Sequence, residues 1–185
     1  MATEEPEFTL VRRDGKFEVR DYAPVIVAET TLTGSAERAR NDGFMPLADY
    51  IFAKDRKGEK IAMTAPVTQT SRDKIAMTAP VTQRAIGDSW TISFTMPAGY
   101  TMETLPAPAN PDVRLVPQPA RRMAVLRFSG TASASSMEAR RQELLAQVSA
   151  MGLETQGTPV FAFYDPPWTL PFMRRNEVMV EVARD

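Results

Sequence analysis

The chain has 185 residues, a formal net charge of −1, and no cysteine or histidine. The missing residue types exclude disulfides, thiolate nucleophiles, Ser–His and Cys–His catalysis, and metal sites that depend on sulfur or imidazole ligands. The balanced charge gives no global field that would attract nucleic acid, so we expect no nucleic-acid partner.

The size and composition indicate one domain over residues 1–185. Hydrophobic residues make up 43% of the chain and charged residues 24%, as in ordinary globular proteins. The acidic N-terminus lacks the apolar core of a signal peptide, and no run reaches the ~18 apolar residues of a membrane span. We therefore expect a cytoplasmic location and no membrane span.

The first forty residues have the pattern of strands followed by a loop. Residues 8–11 predict a short strand, and Asp14-Gly15 predicts a tight hairpin turn. Residues 17–32 predict a long extended stretch, in which Pro24 marks a bulge or an edge. Residues 34–43 are small and charged, which predicts a loop.

A helix is predicted directly after this loop. Asp42 can cap its start, basic residues follow at its C-terminal end, and Gly58 ends it. Its apolar stripe has helical spacing and consists of Phe44, Leu47, Ala48, Ile51 and Phe52.

One block of sequence occurs twice without change, as Lys60-Ile-Ala-Met-Thr-Ala-Pro-Val-Thr-Gln69 and again over residues 74–83. Two copies are too few for a solenoid or a propeller. The short link between them suits a hairpin loop, which would place Met63 opposite Pro80. The alternative is that the copies form two strands at different positions in the sheet.

The rest of the chain alternates strands with a second helix. Alternation predicts strands at residues 90–96, 113–116, 123–128, 160–164 and 178–182. The capping-box pattern Ser135-Ser-Met-Glu138 opens the helix, and the proline-rich residues 97–119 predict a stiff surface connection. We therefore predict an α+β fold with about nine strands in a largely antiparallel sheet and two α-helices.

The residues give no positive evidence for an enzyme. No serine or threonine stands in a nucleophile-elbow context, and no glycine-rich phosphate loop occurs. Glu177 and Glu181 alternate with valines and are expected to face solvent. Arg174-Arg175 either clamp a ligand carboxylate or pair with an internal acid such as Asp165.

The chain contains 11 methionines. Methionine is a soft, flexible side chain that suits large apolar ligands, although most methionines pack in cores. Met45 lies off the helix stripe and Met173 lies in a proline-rich loop, so these two are the better candidates for a binding site.

Several motifs follow one another along nearly the whole chain. They are Gly43-Phe-Met-Pro-Leu-Ala-Asp-Tyr-Ile-Phe52, Lys60-Ile-Ala-Met-Thr-Ala-Pro-Val67, Trp90-Thr-Ile-Ser-Phe-Thr-Met-Pro97, Phe128-Ser-Gly130, and Tyr164-Asp-Pro-Pro167 followed by Arg174-Arg-Asn-Glu-Val178. Together they resemble the SOUL haem-binding protein family, including its bacterial members.

The resemblance implies a distorted antiparallel β-barrel with two helices, built as a pseudo-two-fold repeat and related to gyrase-inhibitor-like effector-binding domains. It also implies reversible, non-catalytic binding of haem or another tetrapyrrole in a shallow apolar groove between the first helix and the loop after the Tyr-Asp-Pro-Pro motif. By that resemblance the groove positions are Asp42, Met45, Asp49, Tyr50, Leu170, Phe172, Met173 and Arg174.

Two features of this sequence depart from the haem carriers that it resembles. The chain has no histidine to ligate iron, which leaves methionine, tyrosine or water, or binding without a protein–iron bond. It also has Asp42 and Asp49 where the carriers place basic residues, and a carboxylate facing a haem propionate is repulsive. We therefore expect a tetrapyrrole binder that is weaker than, or tuned differently from, a His-ligated carrier.

Other functions stay open at this point. The chain could bind or sense other planar apolar molecules, by analogy with the gyrase-inhibitor-like relatives. It could be a protein-interaction module that uses residues 97–119. A hydrolase would need a glutamate or tyrosine of perturbed pKa in the groove.

Overall fold

The computed structural model describes residues 4–53, 75, 78–166 and 168–184. A single-turn 3-10 helix, Pro171–Met173, lies between the last two strands. The described residues confirm the α+β class with nine strands and two α-helices. The elements are β1 (Phe8–Asp14), β2 (Phe17–Tyr22), β3 (Val25–Thr33), α1 (Ala36–Ile51), β4 (Val81–Ile86), β5 (Ser89–Thr95), β6 (Arg114–Gln118), β7 (Arg121–Phe128), α2 (Ala134–Ala150), β8 (Thr155–Phe163) and β9 (Asn176–Val182).

All nine strands belong to one sheet, in the order β1-β2-β7-β9-β8-β4-β5-β3-β6. Every neighbouring pair is antiparallel, as the sequence predicted. The hairpin at Asp14-Gly15 is confirmed, since Asp14 pairs with Phe17 and Gly15 has a positive φ of 59°. Within the described part of the chain no pairing joins β1 to β6, so closure into a barrel is not confirmed.

Two units of the same connectivity build most of the sheet. The first unit is β3–α1–β4–β5 and the second unit is β7–α2–β8–β9. In each unit the last strand lies between the other two, and the units meet where β4 pairs with β8. This arrangement is the pseudo-two-fold repeat that the family resemblance implied.

Both helices cover the same face of the sheet. Helix α1 packs on β3 and β5, and α2 packs on β7, β8 and β9. The close approach of α1 depends on Gly43, because a Cβ at this position would lie 2.7 Å from Leu32 Cδ1 and 2.8 Å from Ile92 Cγ1. Neither helix described here has the length and apolar character needed to cross a membrane.

The boundaries of α1 differ from the prediction. Ser35, not Asp42, is the N-cap, and its side chain accepts a hydrogen bond from the backbone N–H of Arg38 at 3.3 Å. Residues 36–43 are helical, but their buried positions are the small residues Ala39 and Gly43. The sequence therefore shows no stripe of large apolar residues that would predict a helix here. The helix ends at Ile51 rather than near Gly58, since Ala53 turns out of it with a positive φ of 56°.

Other predicted segments fall partly elsewhere. The stretch 17–32 divides at Pro24 into β2 and β3, which pair with different strands. Helix α2 is capped by Ser133 instead of opening at Ser135. The predicted hairpin between the two copies of the repeat, with Met63 opposite Pro80, lies outside the described residues, although the end of the second copy begins β4. Within residues 97–119, Leu105 and Val113 are buried against the first unit, so this connection is not wholly a surface segment.

Candidate functional site

Large apolar side chains are exposed on α1 and on the loop between β8 and β9. Met45 is 56% exposed, Phe172 73% and Trp168 82%. Single exposed apolar side chains are common, whereas several of them on one surface often mark a binding site for a partner or a ligand. We call these residues the α1–loop surface: Phe44, Met45, Phe52, Trp168, Leu170, Phe172 and Met173.

The loop presents these side chains from a backbone that is tied down. The carbonyl of Pro171 accepts hydrogen bonds from the N–H of Gly130 at 2.8 Å and of Arg174 at 3.2 Å. The guanidinium Nε of Arg174 donates to the carbonyl of Thr169 at 2.8 Å. These hydrogen bonds hold the backbone of the loop in place while its apolar side chains are exposed.

A half-buried arginine places the start of α1 beside this loop. The guanidinium of Arg40 lies 5.0 Å from the ring centroid of Phe163, and its Nη1 lies 3.4 Å from Gln83 Oε1. Burial lowers the pKa of Arg40, and the like charge of Arg174 lowers it further. The two cations therefore lie close enough to act on each other. Sequence reasoning missed Arg40, because it lies in the segment predicted to be a loop.

The structure places most of the predicted groove residues at the surface. Met45, Leu170, Phe172 and Met173 are exposed, while Asp49 and Arg174 are half-buried. Asp42 is exposed and forms an ion pair of 3.5 Å with Arg38 one turn earlier.

Tyr50 has a different environment from the other predicted groove residues. It is completely buried in the core of the first unit, and its hydroxyl donates to the carbonyl of Pro106 at 2.8 Å. This tyrosine therefore lies beneath α1 and is not part of the exposed surface.

The Tyr-Asp-Pro-Pro and Arg-Arg-Asn-Glu motifs meet in a buried ion cluster. Glu177 is 0% exposed, so the expectation that it faces solvent is wrong. Its carboxylate accepts two hydrogen bonds from Arg20, at 2.9 and 3.0 Å, and one from the hydroxyl of Tyr164 at 2.8 Å. Arg175 donates to the same carboxylate at 3.2 Å and also binds Glu5 at 3.0 Å.

The second glutamate of the pair has a different setting. Glu181 is half-buried rather than fully exposed, and it lies on the face of β9 that looks away from the helices. Burial lowers the pKa of Arg121, and the negative charge of Glu181 opposes that shift.

The electrostatics of the cluster keep Glu177 charged. Burial alone would raise the pKa of Glu177, but the guanidinium of Arg20, the Tyr164 hydroxyl and Arg175 together hold it below its usual value. Burial and the neighbouring Glu177 raise the pKa of Tyr164, which keeps this phenol protonated as the donor. The Glu177 carboxylate is buried and hydrogen-bonded to these three side chains. It therefore holds their strands and loop together and is not accessible to a ligand.

The structure also shows which partners Arg174 and Arg175 have. Arg175 pairs internally, mainly with Glu177 and Glu5, and its backbone N–H donates to Asp165 Oδ2 at 2.5 Å. Arg174 has a different partner, since its Nε donates to the carbonyl of Thr169. Across residues 4–53, 75, 78–166 and 168–184, no group of three or more carboxylates is placed to hold a metal ion.

The sequence model of the SOUL heme-binding protein family matches residues 3–181. The chain belongs to the SOUL family. None of the curated proteins matches this SOUL chain at a significant level.

Solved structures resemble this SOUL chain in fold. The C-terminal domain of EcmrR matches with a TM-score of 0.63 at 10% identity, over 91% of this chain and 98% of that one. A hydrolase from Listeria innocua matches with a TM-score of 0.58 at 15% identity, over 94% of both chains. SAV2435 bound to tetraphenylphosphonium matches with a TM-score of 0.50 at 11% identity, over 90% of this chain and 93% of that one. At these identities the matches show a shared fold.

Proposed function

We propose that this SOUL protein reversibly binds haem or a related tetrapyrrole on the α1–loop surface. The exposed apolar side chains of that surface carry the proposal: Met45, Leu170, Phe172 and Met173 are each more than half exposed. A flat macrocycle that covers them would remove apolar area from water, at about 25 cal/mol per Å².

Two arginines supply the charge that the carboxylates of a tetrapyrrole require. Burial lowers the pKa of Arg40, the charge of Glu37 opposes that shift and the like charge of Arg174 adds to it, and Arg40 forms no salt bridge among the residues that the structure describes. A propionate placed near them would offset this repulsion and bond to the planar guanidinium of either one. The negative charge of Asp42 is partly balanced by Arg38, so it opposes the ligand less than the sequence suggested.

The side chains of this surface fit haem without a strong iron ligand. The buried hydroxyl of Tyr50 is bonded to Pro106, so the sulfur atoms of Met45 and Met173 are the exposed protein ligands for iron. Haem bound there would supply an iron centre, and a soft thioether would favour its ferrous state. A metal-free porphyrin needs only the apolar and cationic contacts, so it should bind as well.

The test is a titration of the full chain with haemin and with protoporphyrin, followed by the shift of the Soret band. We expect saturation at one equivalent for both. The F172S variant should weaken binding about tenfold, because it removes the apolar ring that would cover the ligand at this position. The matched control is I86S, which changes another exposed apolar residue, at the end of β4, and it should leave the affinity unchanged.

Two further variants separate the charge from the iron ligand. R174Q should weaken haemin binding but not binding of haemin dimethyl ester, which lacks both carboxylates. M173L keeps the apolar volume and removes the thioether, so it should change the haemin spectrum only if this sulfur binds iron. The absence of a saturable shift with every tetrapyrrole, or an equal loss in F172S and I86S, would contradict the proposal.

A further inference from the structure

A cleft opens on the face of the sheet that the helices leave uncovered. Its volume is about 70 Å³, and strands of both units form its floor. The α1–loop surface lies on the other face, since α1 packs there on β3 and β5. The residues that line the cleft are Pro6, Tyr22, Ala23, Val25, Val27, Pro80, Thr82, Arg84, Ser93, Thr95, Gln118, Arg121, Met123, Val160, Tyr164 and Met179.

The charge of this cleft is positive. Arg84 on β4 and Arg121 on β7 line it, and its lining contains no aspartate or glutamate. Neither arginine forms a salt bridge with any residue that the structure describes. The Nη2 of Arg121 donates to Gln118 Oε1 at 2.6 Å, and Glu181, whose charge acts on Arg121, lies outside the lining.

Burial and like charge both act on Arg121. Burial lowers its pKa, the charge of Glu181 opposes that shift, and the charge of Arg84 adds to it. The two guanidinium groups therefore lie near each other in a partly desolvated site. An anion between them would relieve this repulsion and supply the hydrogen-bond acceptors that a guanidinium fork prefers.

Apart from the amide of Gln118, the rest of the cleft is apolar or carries hydroxyl groups. Met123, Val160 and Met179 come from neighbouring strands of the second unit, and Val27 comes from the first. Their side chains suit the apolar body of a ligand better than a highly hydrated phosphate.

The wall of the cleft beside the ion cluster is fixed. The hydroxyl of Tyr164 donates a hydrogen bond to Glu177, and the hydroxyl of Tyr22 accepts one from Arg20 Nη1 at 2.8 Å. These two tyrosines therefore present their rings in defined orientations, and ligand binding would not have to order them.

We propose that this cleft is a second ligand site, selective for an organic carboxylate with a compact apolar body. The carboxylate bonds to Arg84 and Arg121, and the apolar body packs against Met123, Val160 and Met179. The site is independent of the proposed tetrapyrrole surface. A cation such as the tetraphenylphosphonium bound to SAV2435 is repelled here by the two arginines.

The test compares three probes of the same shape and different charge, measured by calorimetry on the full chain. Naphthoate is the anion, naphthylmethanol is neutral and naphthylmethylammonium is the cation. We expect saturable binding of naphthoate below roughly 1 mM, binding of the alcohol at least about tenfold weaker, and no binding of the cation. Equal binding of the cation, or no saturable binding of naphthoate, overturns the proposal.

Variants locate the site. R84Q and R121Q should each weaken naphthoate binding about tenfold, because each removes one charge-assisted contact. R12Q, which changes an exposed arginine on β1, is the matched control and should bind like the wild type. If both cleft variants bind naphthoate normally, the site lies elsewhere and the proposal is wrong.

A competition experiment separates this proposal from the tetrapyrrole proposal. Naphthoate should bind F172S with unchanged affinity, and saturating naphthoate should leave the haemin titration of the wild type unchanged. Displacement of haemin by naphthoate would show a single shared site and overturn the second one. Failure of haemin to bind would leave the naphthoate result intact.

Discussion

The two helices occupy equivalent positions in the repeated units, yet their outer surfaces differ. Helix α2 carries ion pairs on its exposed side, between Arg140 and Glu143 at 2.6 Å and between Arg141 and Glu138 at 2.6 Å. Helix α1 has one exposed ion pair, between Arg38 and Asp42 at 3.5 Å, but it also exposes Phe44 and Met45, and Phe52 is exposed directly after its end. Each such exposed ion pair adds little stability, but it keeps a surface solvated. The difference is consistent with the proposal that the ligand binds beside α1 and not beside α2.

The interiors of the two units also differ. The first unit holds α1 against the sheet by close apolar packing at Gly43. The second unit carries the buried charge of Glu177 on its central strand. Substitutions at these two positions should therefore affect stability for different reasons.

The largest expected effect is at the ion cluster. E177Q should reduce the free energy of unfolding by about 3–5 kcal/mol, because both Nη groups of the buried Arg20 lose their carboxylate and only its Nε keeps one, that of Glu18. Urea denaturation followed by circular dichroism measures this loss. E143Q, which breaks an exposed pair of α2, is the matched control and should cost less than about 0.5 kcal/mol.

The pH dependence gives an independent check on this prediction. The pKa of Glu177 is lower in the folded protein than its ordinary value of 4.5. The stability that the charged Glu177 contributes is therefore complete above pH 4.5, and it is lost as the pH falls through the lowered pKa. The gap in stability between the wild type and E177Q should narrow in acid, and a gap that stays constant with pH would contradict a charged role.

A smaller effect is expected from G43A in the first unit. The added Cβ would collide with Leu32 and Ile92, and this overpacking should cost about 1–3 kcal/mol despite the better helix propensity of alanine. The same denaturation measurement applies. G99A, where nothing lies within 4 Å of the added Cβ, should change stability by less than about 1 kcal/mol. Equal costs for the two glycines would remove the close approach as the basis of helix packing in this unit.

The smallest effects are expected at the helix caps, where the two units are alike. Ser35 and Ser133 each accept a hydrogen bond of 3.3 Å from the backbone N–H three residues later. S35A and S133A should each cost about 1 kcal/mol in thermal or urea unfolding. A large difference between them would mean that the units also differ in how their helices begin.

Sequence patterns predicted most of the strands, because alternation survives in residues such as Trp90, Ile92 and Phe94 of β5. They failed at the start of α1, where the buried positions are too small to form a stripe. They also failed at Glu177, because alternation separates two faces of a strand without showing that both are covered. Residues 176–180 of the central strand β9 are all buried.

The candidate site was accessible to sequence reasoning in part. Met45, Phe172 and Met173 were identified from the family resemblance, and the structure shows that they are exposed. Arg40 and the cleft were not identified. The cleft joins residues from eight strands, β2 to β9, and Arg84 and Arg121 come together only through the pairing of the two units.

The position of β9 has a consequence for how the chain folds during synthesis. Without β9 the sheet would be two separate pieces, β1-β2-β7 and β8-β4-β5-β3-β6. Arg20 likewise cannot form its ion pair with Glu177 until that residue, 157 positions later, has been synthesised. Contacts of such long sequence separation slow folding, and unpaired strand edges invite association with other chains. We therefore expect the edges of β7 and β8 to stay unpaired until residues 176–182 have been synthesised.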